Sequence, residues 1–196
     1  MKDVIGIFSE GYGSGKDSIA TTLAFEFDYI IYGFSEVMKD TIYYELTRMR
    51  FPTLNMWLEY CEAHKYDQPD NEGFWVRRLL QGYGQFKRYK TPNFWVDKWE
   101  EELSNREYEK VVVPSVRFPN EALRIKDLGG LLVKVVRPGI VVDHDPSEIS
   151  MNGWVPDYII QNDGTLKELA EKVRGFMQDR DKIWPNLLVK EPSLTS

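Results

Sequence analysis

The sequence predicts an α/β protein with a parallel sheet of about five strands and helices on both faces. Short apolar runs, typical of buried strands, recur at residues 4–8, 29–32, 110–113, 131–136 and 158–161. Most of these runs are followed by a stretch with helical periodicity. Because strands that alternate with helices pair in parallel, this order predicts a single sheet sandwiched between helices.

Length and composition are those of one globular domain with an additional insertion. The chain has 196 residues, of which 42% are hydrophobic, so it can bury a full core. Its formal net charge of −6 disfavours nucleic acid and membrane surfaces as partners, since proteins that bind them present basic surfaces. The single cysteine, Cys61, excludes an internal disulfide and is expected to be a buried, unreactive thiol. We expect a cytoplasmic protein without a signal peptide or membrane span.

The first turn carries the strongest functional signal. Residues 9–18 follow the first strand and open a helix predicted over residues 16–27. Glycines let successive backbone N–H groups surround an anion, and a lysine can reach the outer phosphates of a nucleotide. The helix N-terminus adds a partial positive charge. The sequence therefore predicts a phosphate-binding loop, formed by Gly11, Gly13, Ser14, Gly15, Lys16, Asp17 and Ser18.

This loop departs from the pattern G-x-x-x-x-G-K-[ST] in two places. Glu10 stands where the first glycine is expected, and Asp17 replaces the hydroxyl residue that usually follows the lysine and binds Mg²⁺. A carboxylate at position 17 could hold the metal through a water, or Ser18 could supply the hydroxyl. Asp17 and Ser18 are therefore the candidate Mg²⁺ ligands.

The alternation of strands and helices is interrupted between about residues 48 and 104, after a second helix predicted to extend through residue 46. Three helical patterns lie in this interval, at residues 54–64, 73–80 and 92–103. Thr91 is the expected N-cap of the last of them, with Pro92 in its first turn. The interval is predicted to be a helical insertion.

Two further segments lie outside the regular pattern. Residues 137–156 lack a sustained period and predict a short lid-like loop, in which His144 is expected to be polar surface rather than a metal ligand. The last helix opens with a capping box from Thr165 to Glu168 and is expected to end near Gln178. A loosely attached tail should follow at about residues 180–196.

Basic side chains follow two of the predicted strands. Arg117 lies just beyond the run at 110–113, and Arg137 directly follows the run at 131–136. Ligands of open parallel sheets gather at the carboxyl ends of the strands, so both arginines should face the phosphate-binding loop. Since phosphoryl transfer needs cations around the transferred group, Lys16, Arg117 and Arg137 are the candidate catalytic residues.

A second polar cluster lies in the helical insertion, at residues 75–88. It combines arginines, an amide and aromatic side chains, among them Arg78, Gln81 and Arg88. Guanidinium groups bind phosphate, an amide can read a base edge, and aromatic faces stack on bases. The cluster is therefore a candidate nucleotide site. An amphipathic helix with a solvated basic face is the simpler alternative.

Six segments together resemble the deoxynucleoside monophosphate kinases encoded by tailed phages: residues 15–18, 78–81, 93–96, 116–122, 135–139 and 162–166. They occur in the order of that family, across nearly the whole chain. The resemblance implies a three-layer P-loop kinase fold that transfers the γ-phosphate of ATP to a deoxynucleoside 5′-monophosphate, with Mg²⁺. For a phage-encoded chain, the compartment would be the host cytoplasm.

The resemblance also implies roles for individual residues. Gly13, Gly15, Lys16, Asp17 and Ser18 would face ATP. The acceptor would be bound by Lys39, Arg78, Gln81, Arg88, Trp95, Arg117 and Glu121. Arg137 and residues 143–148 would lie on the lid side.

Two alternatives stay open. One is a P-loop kinase for another phosphorylated small molecule, such as dephospho-coenzyme A. The other is a nucleotide-binding regulatory protein without turnover, suggested by Glu10 and by Ser115, which stands where the family usually has an acidic residue that helps to hold Mg²⁺. The expected partners are a deoxynucleoside monophosphate and ATP. The accepted base and the oligomeric state are undetermined, with a homodimer as one alternative.

Overall fold

The structure is a computed structural model that describes residues 2–11, 13–64, 76–140 and 150–187. The chain divides into two compact units. We call Met1–Gly33 together with Glu107–Ser196 the sheet unit, and Phe34–Arg106 the helical unit. The helical unit contains the predicted insertion and begins earlier, so that the second predicted helix belongs with it.

Five parallel strands form the sheet: β1 (Asp3–Phe8), β2 (Ile30–Ile31), β3 (Lys110–Val113), β4 (Leu131–Val136) and β5 (Tyr158–Gln161). Their order in space is β2-β3-β1-β4-β5, and every neighbouring pair is parallel. This arrangement confirms the predicted fold class. β2 is shorter than the apolar run that predicted it, because only its two middle residues pair with β3.

The described helices are α1 (Lys16–Phe27), α2 (Phe34–Ile42), α3 (Leu54–Ala63), α4 (Val76–Lys90), α5 (Phe94–Ser104), α6 (Pro119–Asp127) and α7 (Leu166–Leu187). Among the described residues, none of these helices combines the length and the apolar composition that a membrane span requires.

Helices cover both faces of the sheet. Ile5 and Ile7 of β1 belong to a buried cluster with apolar residues of α1 and α7. On the opposite face, a Cβ atom at Gly6 would lie 2.7 Å from Ile125 Cδ1 of α6 and 2.9 Å from Leu132 Cδ2. Gly6 therefore lets α6 pack directly on the central strand. The result is three layers, as predicted.

The last helix differs from its prediction at one end. Its start is confirmed, since the Thr165 N–H donates to Glu168 Oε2 (2.6 Å) and the Glu168 N–H donates to Thr165 Oγ1 (3.3 Å). The expected end near Gln178 is wrong, because α7 continues to Leu187. Arg180 lies in this extension and donates to Asp3 Oδ2 at 2.5 Å. An ion pair with the first strand thus holds part of the segment that was predicted to be a loose tail.

The core of the helical unit is built around three buried tryptophans, Trp57, Trp95 and Trp99. The Trp57 indole N–H donates to the Lys39 carbonyl at 2.9 Å, and the Trp95 indole N–H donates to the Gly84 carbonyl at 3.1 Å. The indoles of Trp57 and Trp95 therefore each have a hydrogen-bond partner on a neighbouring helix, as buried polar groups require.

Several local predictions for the helical unit need correction. The second helix ends as an α-helix at Ile42 and continues as a π-helical turn over Tyr43–Thr47. Asn93, and not Thr91, is the N-cap of α5. Cys61 is buried, as expected, and desolvation raises the pKa of its thiol to about 12.

Three predicted segments lie partly outside the described residues. They are the start of the helix at 73–80, residues 141–149 of the lid-like loop, which include His144, and the last nine residues of the tail.

We expect Arg180→Ala to lower the free energy of unfolding by about 1–3 kcal/mol, because it removes a charged hydrogen bond to the largely buried Asp3 carboxylate. The measurement is urea unfolding followed by circular dichroism. Arg174→Ala is the matched control, since Arg174 is also on α7 and pairs with the more exposed Glu26. Equal losses from the two variants would contradict a special role for Arg180.

Candidate functional site

The loop between β1 and α1 lies at the carboxyl edge of the sheet. Gly13 and Gly15 have positive φ angles of 66° and 100°, which residues with a Cβ rarely adopt. Ser9 and Ser14 are buried, whereas Gly13 is exposed. The chain therefore turns sharply ahead of α1, with Gly15 as the N-cap of that helix.

Lys16 lies in the first turn of α1 and reaches back into this loop. Its ammonium group donates to Ser9 Oγ at 2.5 Å, to the Gly11 carbonyl at 3.2 Å and to Ser14 Oγ at 3.3 Å. The two serines also bond to each other, from Ser14 Oγ to Ser9 Oγ at 2.9 Å. The cation is thus held among neutral loop oxygens, which the charged oxygens of a phosphate could replace with stronger bonds.

Glu10, which stands where the pattern has a glycine, is exposed and forms an ion pair with Lys134 of β4 (Nζ to Oε1, 2.5 Å). The sheet register explains this contact, because Phe8 at the end of β1 pairs with Lys134. The larger side chain is therefore accommodated outside the turn, where it ties the start of the loop to the neighbouring strand.

Arg137 lies at the carboxyl end of β4 and donates from Nη1 to the Gly13 carbonyl at 2.6 Å. Of the three candidate catalytic residues, Lys16 and Arg137 are thus brought to one loop. Arg137 is exposed, so its guanidinium remains accessible to a ligand.

Arg117 lies in the segment between β3 and α6. Its Nε donates to Ser115 Oγ at 3.1 Å, and its backbone N–H donates to Glu121 Oε2 at 2.8 Å. Glu121 is only 2% exposed and also accepts from the Phe118 N–H, at the N-terminus of α6. Glu121 was predicted to bind the acceptor, but the structure places its carboxylate within this turn. Glu121 orients the Arg117 segment.

The other predicted acceptor residues belong to the helical unit. Arg78, Gln81 and Arg88 lie on one face of α4, because steps of three and seven residues bring side chains to the same side of a helix. Lys39 of α2 pairs with Glu36 at 3.7 Å. Trp95, in contrast, is 1% exposed and packs between helices. The structure therefore offers four polar candidates here, and Trp95 supports α4 through its hydrogen bond to the Gly84 carbonyl.

Comparison with known proteins bears on this geometry. The family model described as deoxynucleotide monophosphate kinase matches residues 53–173, which is more than half of the chain. The protein belongs to the deoxynucleotide monophosphate kinase family. A protein of Acanthamoeba polyphaga mimivirus, provisionally named as such a kinase, is 29% identical over 189 residues, covering 87% of this chain and 93% of its own. Membership makes the chain a nucleotide-binding P-loop kinase, and so a phosphotransferase.

A solved structure agrees on the fold. Dephospho-CoA kinase from Campylobacter jejuni superposes with a TM-score of 0.52 at 12% identity, covering 93% of this chain and 98% of that protein. At this identity the match shows the P-loop kinase fold alone. The phosphate-binding loop precedes the segment matched by the family model, so its assignment depends on the loop geometry.

The residues around the loop fit a magnesium ion. Asp17 is exposed in the first turn of α1, and its carboxylate forms no ion pair with any described residue. Ser18 follows it with a hydroxyl. No group of three or more His, Cys, Asp or Glu side chains suited to a metal occurs among the described residues. Mg²⁺ in kinases needs only one or two protein oxygens beside phosphate and water, so the pair suffices.

Two residues that contact the loop were not predicted to act there. Lys134 is a lone charge in an otherwise apolar strand, and Asn162 directly follows β5, where its Nδ2 donates to the Ser14 carbonyl at 2.7 Å. The sequence could have predicted that both residues lie near the loop. A polar residue towards the carboxyl end of a parallel strand lies at the edge of the sheet where ligands bind.

We expect Gly15→Ala to raise the Kd for ATP by about tenfold or more. A Cβ at Gly15 would lie 2.4 Å from Asn162 Nδ2, and the φ angle of 100° is unfavourable for alanine. Gly13→Ala is the matched control, because among the described residues no atom beyond its chain neighbours lies within 4 Å of the added Cβ, and its φ of 66° costs about 1–2 kcal/mol. Calorimetric titration of both variants with ATP gives the comparison. Equal affinities in the two variants would show that the contact with Asn162 is unimportant.

Proposed function

We propose that the protein transfers the γ-phosphate of ATP to a deoxynucleoside 5′-monophosphate, giving the diphosphate and ADP. The observation that carries the proposal is the position of the Lys16 ammonium among three oxygens of a glycine-rich loop, in a chain of the deoxynucleotide monophosphate kinase family. The cytoplasm is the proposed compartment, because it supplies both nucleotides.

In this reaction, a 5′-phosphate oxygen of the acceptor attacks the γ-phosphorus of ATP. The bond from that phosphorus to the oxygen bridging the β- and γ-phosphates breaks, and its electron pair leaves with ADP. The transition state is loose, so the protein contributes mainly position and positive charge. Lys16 stabilises the charge on the outer phosphates, while Arg117 and Arg137 bind the transferred group and its acceptor.

Asp17 and Ser18 would hold Mg²⁺, which supplies charge neutralisation across the phosphates when it is bound. These two residues follow Lys16 directly, so the metal and the ammonium would act on the same nucleotide. Ser115 cannot replace an acidic metal ligand with equal charge, and we assign it to the support of Arg117.

The helical unit is proposed to bind the acceptor. Lys39, Arg78 and Arg88 offer cations for a monophosphate, and Gln81 offers an amide for a base edge. Trp95 and Glu121 contribute through the backbone segments that they hold.

The test is a coupled ADP-release assay with Mg²⁺ and ATP, in which each of the four deoxynucleoside monophosphates and dephospho-coenzyme A is offered as acceptor. We expect turnover with at least one deoxynucleotide and none with dephospho-coenzyme A. Lys16→Ala is the control, and it should lose turnover while its melting temperature stays that of the wild type. A folded wild-type protein that turns over none of the five acceptors would contradict the proposal and favour a regulatory nucleotide-binding protein.

Arg117→Lys should lower kcat by about tenfold to a thousandfold, or about 1.4 to 4 kcal/mol, and raise the acceptor KM much less. Lysine keeps the charge, but it loses the planar two-point contact that a guanidinium makes with a phosphoryl group as charge redistributes. Steady-state kinetics with varied acceptor measure both constants. A variant that keeps its kcat and loses only thermal stability would show that Arg117 is structural.

A further inference from the structure

Asn162 is a buried polar residue at the carboxyl end of β5, with 7% of its surface exposed. Its backbone N–H donates to the Val136 carbonyl at 2.7 Å, which continues the pairing of β5 with β4. Its side chain crosses to the phosphate-binding loop, where Nδ2 donates to the Ser14 carbonyl at 2.7 Å. One residue therefore joins the sheet edge to the loop.

The bond from Asn162 constrains more than one atom. The peptide group between Ser14 and Gly15 is planar and trans, so its C=O and N–H bonds point in opposite directions. Because Asn162 holds the carbonyl, the N–H of Gly15 must point away from Asn162. Arg137 holds the preceding carbonyl, that of Gly13, and fixes the N–H of Ser14 in the same manner.

The fit around this bond is tight. A Cβ atom on Gly15 would lie 2.4 Å from Asn162 Nδ2 and 3.2 Å from Leu169 Cδ2 of α7. The amide is thus confined between the loop and the last helix. It can satisfy the Ser14 carbonyl only as a donor, since a carboxylate of the same shape would oppose one oxygen with another.

We propose that Asn162 is a positioning residue for phosphate binding. By fixing the peptide between Ser14 and Gly15, it keeps the Gly15 N–H directed at the phosphates of ATP before the nucleotide arrives. A loop without this bond would have to order the peptide during binding, at a cost in affinity. This inference rests on the proposed function only in that the loop binds ATP, and it does not depend on the identity of the acceptor.

The experiment compares Asn162→Asp, Asn162→Ala and the control Asp163→Asn. Asp163 is the exposed neighbour, and its carboxylate pairs with Lys172 of α7. Binding of the non-hydrolysable analogue β,γ-imido-ATP with Mg²⁺ is measured by calorimetry, alongside melting temperature and the KM values of ATP and acceptor.

We expect Asn162→Asp to raise the Kd of the analogue at least tenfold, Asn162→Ala to raise it less, and the control to change it less than twofold. The order of the two losses in affinity distinguishes a positioning role from a packing role. Alanine leaves room for a water that can donate to the Ser14 carbonyl, whereas the aspartate carboxylate repels that carbonyl oxygen. A residue that only fills space would give the opposite order. The KM for ATP should rise while that of the acceptor stays within twofold.

Three results would overturn the proposal: unchanged analogue binding in Asn162→Asp, a larger loss in Asn162→Ala, or equal rises in both KM values. If Asn162→Asp fails to fold, the result for Asn162→Ala tests the proposal. A positioning role requires that the folded Asn162→Ala variant bind the analogue more weakly than the wild type does. A wild type that binds the analogue but phosphorylates no deoxynucleotide would refute the proposed function and leave this test intact. Absence of analogue binding by the wild type would refute both.

Discussion

The parallel pairing of β1 with β3 and β4 is the constraint on which the rest of the structure depends. It sets the carboxyl ends of the strands at one edge, so that segments distant in the chain meet the loop after β1. The register that pairs Phe8 with Lys134 also brings Lys134 to Glu10. Arg137, three residues further on, then reaches the Gly13 carbonyl. The loop therefore takes its shape from β4 and β5 as much as from its own glycines.

The helical unit combines charged side chains on its surface with an apolar core that holds its helices in place. Its three buried tryptophans provide apolar contact area, and the indole N–H groups of Trp57 and Trp95 bond to carbonyls of neighbouring helices. Large rigid side chains with satisfied donors fix helix positions more firmly than flexible ones. Arg78 and Arg88 therefore lie on a helix, α4, whose position is fixed by the bond from Trp95 to the Gly84 carbonyl.

The sequence determined much of this architecture because local patterns sufficed. The predicted bounds of α1 agree with those observed. The same holds for β3, β4 and β5, because buried parallel strands form nearly continuous apolar runs that can be recognised in the sequence. The error at the end of the last helix lies where a distant contact decides. The extension of α7 depends on Arg180 reaching Asp3, 177 positions away. Trp95 and Glu121 have the residue types of a binding site, and the structure shows both buried, Trp95 among helices and Glu121 at the start of α6.

The departures from the family pattern can be understood from the same contacts. A glycine at position 10 would need no partner, whereas Glu10 has one in Lys134, and exposed pairs of this kind cost the fold little. Ser115 replaces an acidic residue but holds Arg117 through its hydroxyl. A hydroxyl orients a guanidinium without neutralising it, while a carboxylate at that place would offset part of its charge. The replacements at positions 10 and 115 each have a hydrogen-bond partner within the sheet unit, which is Lys134 for Glu10 and Arg117 for Ser115.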